Sequence, residues 1–235
     1  MTLLSDPTQL TDSGGRPRLR TVRVLGSEVD ILEVEEAVSR VAGWIEARDR
    51  QCRQVVVTGF HGLWEAHHDP GLRRVFDAAD LWVPDGIAPV LVARARGMRE
   101  ARRIPGAELM EALLARADFA GYRSFFYGDT EETLERLASA VATRYPGHVV
   151  VGTLSPPFRL LSPEEDDEQI RIINRARPDI LWVGLGTPKQ DRWIYEHRDR
   201  LEVPVAIAVG AAFRFLTGQV PRAPAWIGRI GMEWA

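Results

Sequence analysis

A doubly wound, mostly parallel α/β sheet is the fold class that this sequence predicts, and three observations predict it. Short apolar runs recur, among them Val55-Val56-Val57, Leu81-Trp82-Val83 and Ile180-Leu181-Trp182-Val183. Amphipathic stretches of helical period separate them. Glycine or a small polar residue closes each run, as at Thr58-Gly59, Asp85-Gly86, Gly128-Asp129, Gly184-Leu185-Gly186 and Gly210. Strands covered on both faces read as continuous apolar runs, and their alternation with helices implies a parallel sheet.

Taken in order, residues 20–25 alternate as a strand, and Gly26-Ser27 reads as a hairpin turn before Val29-Asp30-Ile31. Residues 33–48 carry a helical stripe of Val34, Ala37, Val38, Val41 and Ile45. A strand over 54–58, helical turns over 61–68 and 70–78, and a strand over 81–83 stopped by Pro84 follow. Residues 87–97 and 106–117 read as helices. The second half alternates more cleanly: strand 123–127, helix 131–145 capped by Thr130, strand 148–152, then a helix from Ser162-Pro163 to about Ala176. Strand 179–183 leads through Gly184-Leu185-Gly186-Thr187-Pro188 into a helix, and residues 204–209 form the last strand. Residues 1–19 are polar and read as a disordered leader. The remainder, 20–235, reads as one domain with lobes over roughly 20–120 and 121–235 around a shared cleft.

Composition narrows the function classes. A net charge of −3 gives no basic field for nucleic acid. The single cysteine, Cys52, excludes a disulfide within the chain and leaves a Cys/His zinc site short of ligands, which suits the cytoplasm. No apolar run approaches the roughly 20 residues of a membrane span. Lysine is nearly absent, so arginine carries the positive charge, as codon bias alone also produces.

Ligands of such sheets bind at the carboxyl ends of the strands, where glycines admit a backbone close to a ligand and helix N-termini offer N–H groups to phosphate. Asp85, between Pro84 and Gly86, is either a general base for an acceptor hydroxyl or a turn aspartate bonded to local N–H groups. Arg103, before Pro105-Gly106, is either a diphosphate clamp or a solvated arginine of the run 94–103. Lys189-Gln190-Asp191 at a helix start either reads ligand hydroxyls or faces solvent. His61, His67 and His68 lack placeable carboxylate partners, so no metal site is read from them. Trp226 and Trp234, near Arg222 and Arg229, are core, interface or membrane-surface candidates.

The ordered set of motifs resembles the WecG/TagA/CpsF family, glycosyltransferase family 26, over about residues 20–234. The matching elements are Ala79-Asp80-Leu81-Trp82-Val83-Pro84-Asp85-Gly86, then Gly97 with Arg103-Ile104-Pro105-Gly106-Ala107-Glu108-Leu109, then Phe125-Phe126-Tyr127-Gly128. Pro178-Asp179-Ile180-Leu181-Trp182-Val183-Gly184-Leu185-Gly186-Thr187-Pro188-Lys189-Gln190-Asp191 follows, with Val209-Gly210-Ala211-Ala212-Phe213, Arg222-Ala223-Pro224-Ala225-Trp226 and Glu233-Trp234 closing the set.

The resemblance implies a Rossmann-like fold and inverting, metal-independent transfer from a UDP-sugar, without a cofactor, to a polyprenyl-diphosphate-linked acceptor at the inner membrane surface. The product feeds polysaccharide or teichoic-acid-type glycan synthesis. Asp85 is then the base, and Thr58 lines a sugar pocket. Arg103 contacts the diphosphate. Gly128, Gly184 and Gly186 then hold UDP, Gln190 within Lys189-Gln190-Asp191 helps bind the donor, and Gly86, Pro188, Lys189 and Asp191 are further substrate-binding positions. A homo-oligomer also fits. Three positions depart from the pattern: Thr58-Gly59-Phe60-His61 lacks a common Asn, Asp191 replaces Glu, and Arg214 replaces Asp. The chain ends at Ala235, before the Arg-rich appendage usual in the family. The alternative function is a non-catalytic nucleotide-binding scaffold of an envelope-synthesis complex. A dinucleotide oxidoreductase is disfavoured because the first strand is not followed by Gly-x-Gly-x-x-Gly.

Overall fold

The computed structural model describes residues 19–49 and 51–220. The polar leader, save its last residue, and the closing motifs with Trp226 and Trp234 lie outside the described residues.

Two strands, β1 (Arg20–Val24) and β2 (Ser27–Ile31), form a separate antiparallel hairpin. Its turn is Leu25-Gly26, one residue earlier than the sequence suggested, and both residues have positive φ, 51° and 94°. Two-residue hairpin loops match the strand twist when both positions are left-handed. Asn or Gly normally supplies that conformation, so a leucine there gives no warning in the sequence. The hairpin is tied to the main sheet by Asp30, whose Oδ2 accepts the Trp82 N–H at 2.7 Å.

Helix α1 (Val34–Ala47) leads to β3 (Arg53–Thr58), followed by α2 (Phe60–His68), α3 (Pro70–Asp77), β4 (Leu81–Pro84), α4 (Ile87–Ala95) and α5 (Gly106–Ala120). Then come β5 (Arg123–Gly128), α6 (Glu131–Arg144), β6 (Val149–Leu154), α7 (Pro163–Ala176), β7 (Ile180–Gly184), α8 (Lys189–His197), β8 (Val205–Ala208) and a short α9 (Ala212–Leu216). The caps follow the sequence. Thr130 Oγ1 accepts from Thr133 N at 3.2 Å, and Ser162 with Glu165 forms a capping box. Helix α9 is too short to show a period and was not anticipated.

Strands β3 to β8 form one sheet in the order β4-β3-β8-β7-β5-β6, with every pairing parallel. This confirms the doubly wound α/β class. The last strand, β8, lies between β3 and β7, so a single sheet runs through both halves of the chain. The middle strands are buried throughout, and helices cover both faces: α1, α5 and α6 on one, α7 and α8 among those on the other. Because all six strands run the same way, their carboxyl ends share one edge, and the loops of interest lie along it.

Candidate active site

At the β4 and β3 end of this edge, the Asp85 N–H donates to the Thr58 carbonyl at 3.1 Å. The Pro84 carbonyl accepts from Ile104 N at 2.8 Å, which sets Asp85 and Arg103 immediately beside one hydrogen bond. Gly59 and Gly86 let the two loops touch: a Cβ on Gly86 would stand 3.1 Å from the Gly59 Cα. Thr58 is buried, and its Oγ1 fills the space a Cβ on Gly62 would need, 2.2 Å away. Asp85 and Arg103 are half-buried. The structure therefore brings Thr58, Asp85, Gly86 and Arg103 together, though they are far apart in sequence.

Farther along the edge, a cleft of about 1080 Å³ opens over β8, β7 and β5. Gly184, Gly186, Gly210 and Lys189 line it toward the middle of the sheet, and segment 156–163 walls the outer side. Gly128, at the end of β5, has φ +117°, and a Cβ there would lie 2.5 Å from the Gly184 carbonyl oxygen. Only glycine permits that approach. Lys189 is the chain's only lysine and stands in the first turn of α8, where helix N–H groups also point outward. Pro188 is the N-cap residue of that helix.

Gln190 does not line the cleft. It is buried, and its Oε1 accepts from Gly186 N and Gly210 N, both at 3.1 Å, clamping the β7 and β8 loops to each other. Asp191 is fully buried, neither carboxylate oxygen has a hydrogen-bond partner, and burial pushes its pKa up to about 7.

The cleft also contains groups that the sequence reading did not select. Asp129 is bound by the Arg214 guanidinium, with Nε and NH2 at 3.0 and 3.1 Å. Burial opposes ionisation of Asp129, but Arg214 and the Thr130 N–H outweigh it and hold the carboxyl below its usual range. Arg214 had been noted only as a departure from the family pattern. Tyr127, Trp193 and His197 form an aromatic column in the wall, with ring centroids 4.4 and 4.7 Å apart. His197 Nε2 lies 2.7 Å from Asp166 Oδ2.

The other candidate groups have local roles. His67 and His68 bond the carbonyls of Leu25 and Trp64 through Nδ1 at 3.1 and 2.8 Å, and His61 Nε2 lies 3.4 Å from Glu65. Among the described residues no group of three or more His, Cys, Asp and Glu could hold a metal ion. Burial pushes the Cys52 thiol up to about 12, so it is not a ready nucleophile. No helix among the described residues is long and apolar enough to cross a membrane.

The parallel sheet and its edge cleft define a doubly wound α/β protein of the class that binds ligands beyond the carboxyl ends of its strands. The model of the glycosyl transferase WecG/TagA/CpsF family matches residues 22–235, and the chain belongs to that family. Three similar proteins carry the name N-acetylglucosaminyldiphosphoundecaprenol N-acetyl-β-D-mannosaminyltransferase. The one from Bacillus spizizenii is 32% identical over 73% of this chain. Those from Bacillus subtilis and Staphylococcus aureus (strain NCTC 8325) are 29% and 31% identical, each over 68% of it. The matches cover 65%, 60% and 61% of those proteins' own lengths.

Proposed function

We propose that the chain transfers an N-acetylhexosamine-type sugar from a UDP-sugar to a polyprenyl-diphosphate-linked acceptor, by a single inverting displacement that needs no metal. One observation carries the reading: the cleft and the Asp85 group lie on the same edge of one sheet. Strand β4 is three steps from β7, about 14 Å at the usual strand spacing. The glycine loops and the α8 N-terminus suit a diphosphate, and Lys189 adds a cation beside them. A sugar extending from there toward β3 and β4 meets Thr58 and Asp85.

In this mechanism the Asp85 carboxylate takes the proton of the acceptor hydroxyl as its oxygen attacks the anomeric carbon. The bond to UDP breaks on the opposite face. Arg103 and the helix N–H groups stabilise the charge that grows on the leaving diphosphate. The names of the relatives support a lipid-linked acceptor and an N-acetylmannosamine donor. On this reading a UDP-sugar donor and a lipid-linked acceptor meet at the cytoplasmic face of the membrane.

The test is UDP release from UDP-N-acetylmannosamine with a polyprenyl-diphosphate N-acetylglucosamine acceptor, with and without EDTA. Turnover that survives EDTA supports the reading, and turnover that needs an added divalent ion removes the metal-independent step. UDP should also slow acylation of Lys189, which mass spectrometry reads cleanly because no other residue carries an ε-amine. Protection of Lys189 without any turnover would favour the scaffold alternative.

A further inference from the structure

Resting on the UDP-sugar reading above, we propose that His197 is a charged latch joining the two walls of the cleft, and that loss of its second ring proton loosens donor binding. Both ring nitrogens are occupied. Nδ1 lies 2.6 Å from the Trp193 carbonyl oxygen, and Nε2 lies 2.7 Å from Asp166 Oδ2. A carbonyl oxygen only accepts, so Nδ1 carries a proton. The neutral ring has a single N–H, so in that form Nε2 turns a lone pair toward Asp166. Asp166 is placed to be a carboxylate. It stands in the first turn of α7, where the helix favours negative charge, and Arg200 approaches the same Oδ2 at 3.5 Å. Two acceptors therefore face the ring, and the imidazolium satisfies both.

The latch spans the cleft because of where its ends sit. Asp166 belongs to the α7 turn that continues the outer wall, and His197 belongs to the last turn of α8; both line the cleft. The Trp193 ring lies between the rings of His197 and Tyr127, and the Tyr127 hydroxyl donates to Gln169 Oε1 at 2.6 Å, so the aromatic column reaches α7 a second time. The surrounding charges are engaged. Arg200 also binds Asp167, Arg192 binds Asp69 at the start of α3, and Arg159 binds Glu165. Glu196, next to His197 in sequence, adds negative charge to the same wall. His197 is buried, so water replaces a lost partner poorly. Asp166 keeps Arg200 when the ring is neutral, so the walls loosen rather than separate. A ligand held between them binds the latched form more tightly, and its affinity falls as pH rises through the histidine range.

The experiment uses the full chain, His197→Gln and the less buried Asp166→Asn, with UDP-N-acetylmannosamine as ligand. Its diphosphate is esterified at both ends and keeps its charge between pH 6 and pH 8.5, unlike that of UDP. Affinity by calorimetry should weaken about tenfold over that range in the wild type, the low end for a lost charge-assisted hydrogen bond because Arg200 remains. It should change little in the variants: Gln at 197 donates at every pH, and Asn at 166 can turn either end of its amide to the ring. Asp30 and Asp191 titrate in the same window in all three proteins, so the difference is what is read. Tryptophan emission gives an independent reading, since an imidazolium stacked on Trp193 quenches it. Emission should rise more with pH in the wild type than in His197→Gln, with Trp64 beside His68 contributing equally to both. Equal pH dependence of affinity in wild type and variants, or an equal rise in emission, overturns the latch and leaves the UDP-sugar reading standing. No binding of UDP-N-acetylmannosamine or UDP by the wild type at any pH overturns both.

Discussion

Replacing Asp191 with Asn tests the burial of the α8 face directly. The native carboxyl keeps its proton up to about pH 7, whereas the unfolded one loses it near 3.8, the ordinary value for aspartate. Between those values the folded state binds more protons, so stability falls as pH rises and levels off above 7. The full shift is about 3 units, or about 4 kcal/mol, a ceiling that side-chain relaxation or an entering water lowers. From pH 5 to pH 7 two of those units remain, about 3 kcal/mol. Asn cannot ionise, so Asp191→Asn should gain on the wild type across that window, with little further change to pH 8. Asp30, raised by burial to about 6 despite the Trp82 N–H, adds a slope of the same sign to both proteins and cancels in the difference. Urea denaturation at pH 5, 6, 7 and 8 reads the effect. Parallel stability curves for the two proteins would refute the argument that Asp191 is buried without a partner.

Three other outcomes are expected. Asp85→Asn should lower kcat by about 100- to 10,000-fold while UDP affinity by calorimetry stays close to wild type. Gln190→Ala strips Gly186 N and Gly210 N of their acceptor, so it should cost about 1–3 kcal/mol in urea melts and weaken UDP binding. Gly128→Ala forces a Cβ to within 2.5 Å of the Gly184 carbonyl oxygen at φ +117°. It should destabilise the fold by at least about 1–3 kcal/mol, seen as a lower Tm, because backbone rather than a flexible side chain must yield.

The sheet was legible because its strands are uninterrupted apolar runs such as Val55-Val56-Val57, and because helix starts such as Thr130 and Ser162-Pro163 carry their own capping chemistry. The grouping of Thr58, Asp85 and Arg103 followed from their shared position after strands and at a helix start, together with the family motifs. Asp191 was misjudged by its polarity. Its helix buries Gln190, Asp191, Trp193, Ile194 and His197. Trp193, Ile194 and His197 stand three, four and seven residues after Gln190, so the period itself already put Gln190 on the inner face. The outer wall of the cleft had no such signal. Segment 156–161 has neither period nor motif, and it becomes a wall only because β6 ends beside β5. The pairing of Asp129 with Arg214 is equally a product of topology, since 85 residues separate the partners.

The position of β8 has a consequence for how this chain emerges from the ribosome. Synthesis delivers β3 and β4 early and β5, β6 and β7 later, but the strand that joins the two groups begins only at Val205. Until Val205–Ala208 is threaded between them, β3 and β7 each present a bare edge of unpaired N–H and C=O groups. Such edges invite pairing with other chains, and contacts of this sequence separation are slow to form. From the completion of β7 at Gly184 until Val205–Ala208 is made, the nascent protein therefore carries two unfinished half-sheets, and a chain released in that interval is prone to aggregate.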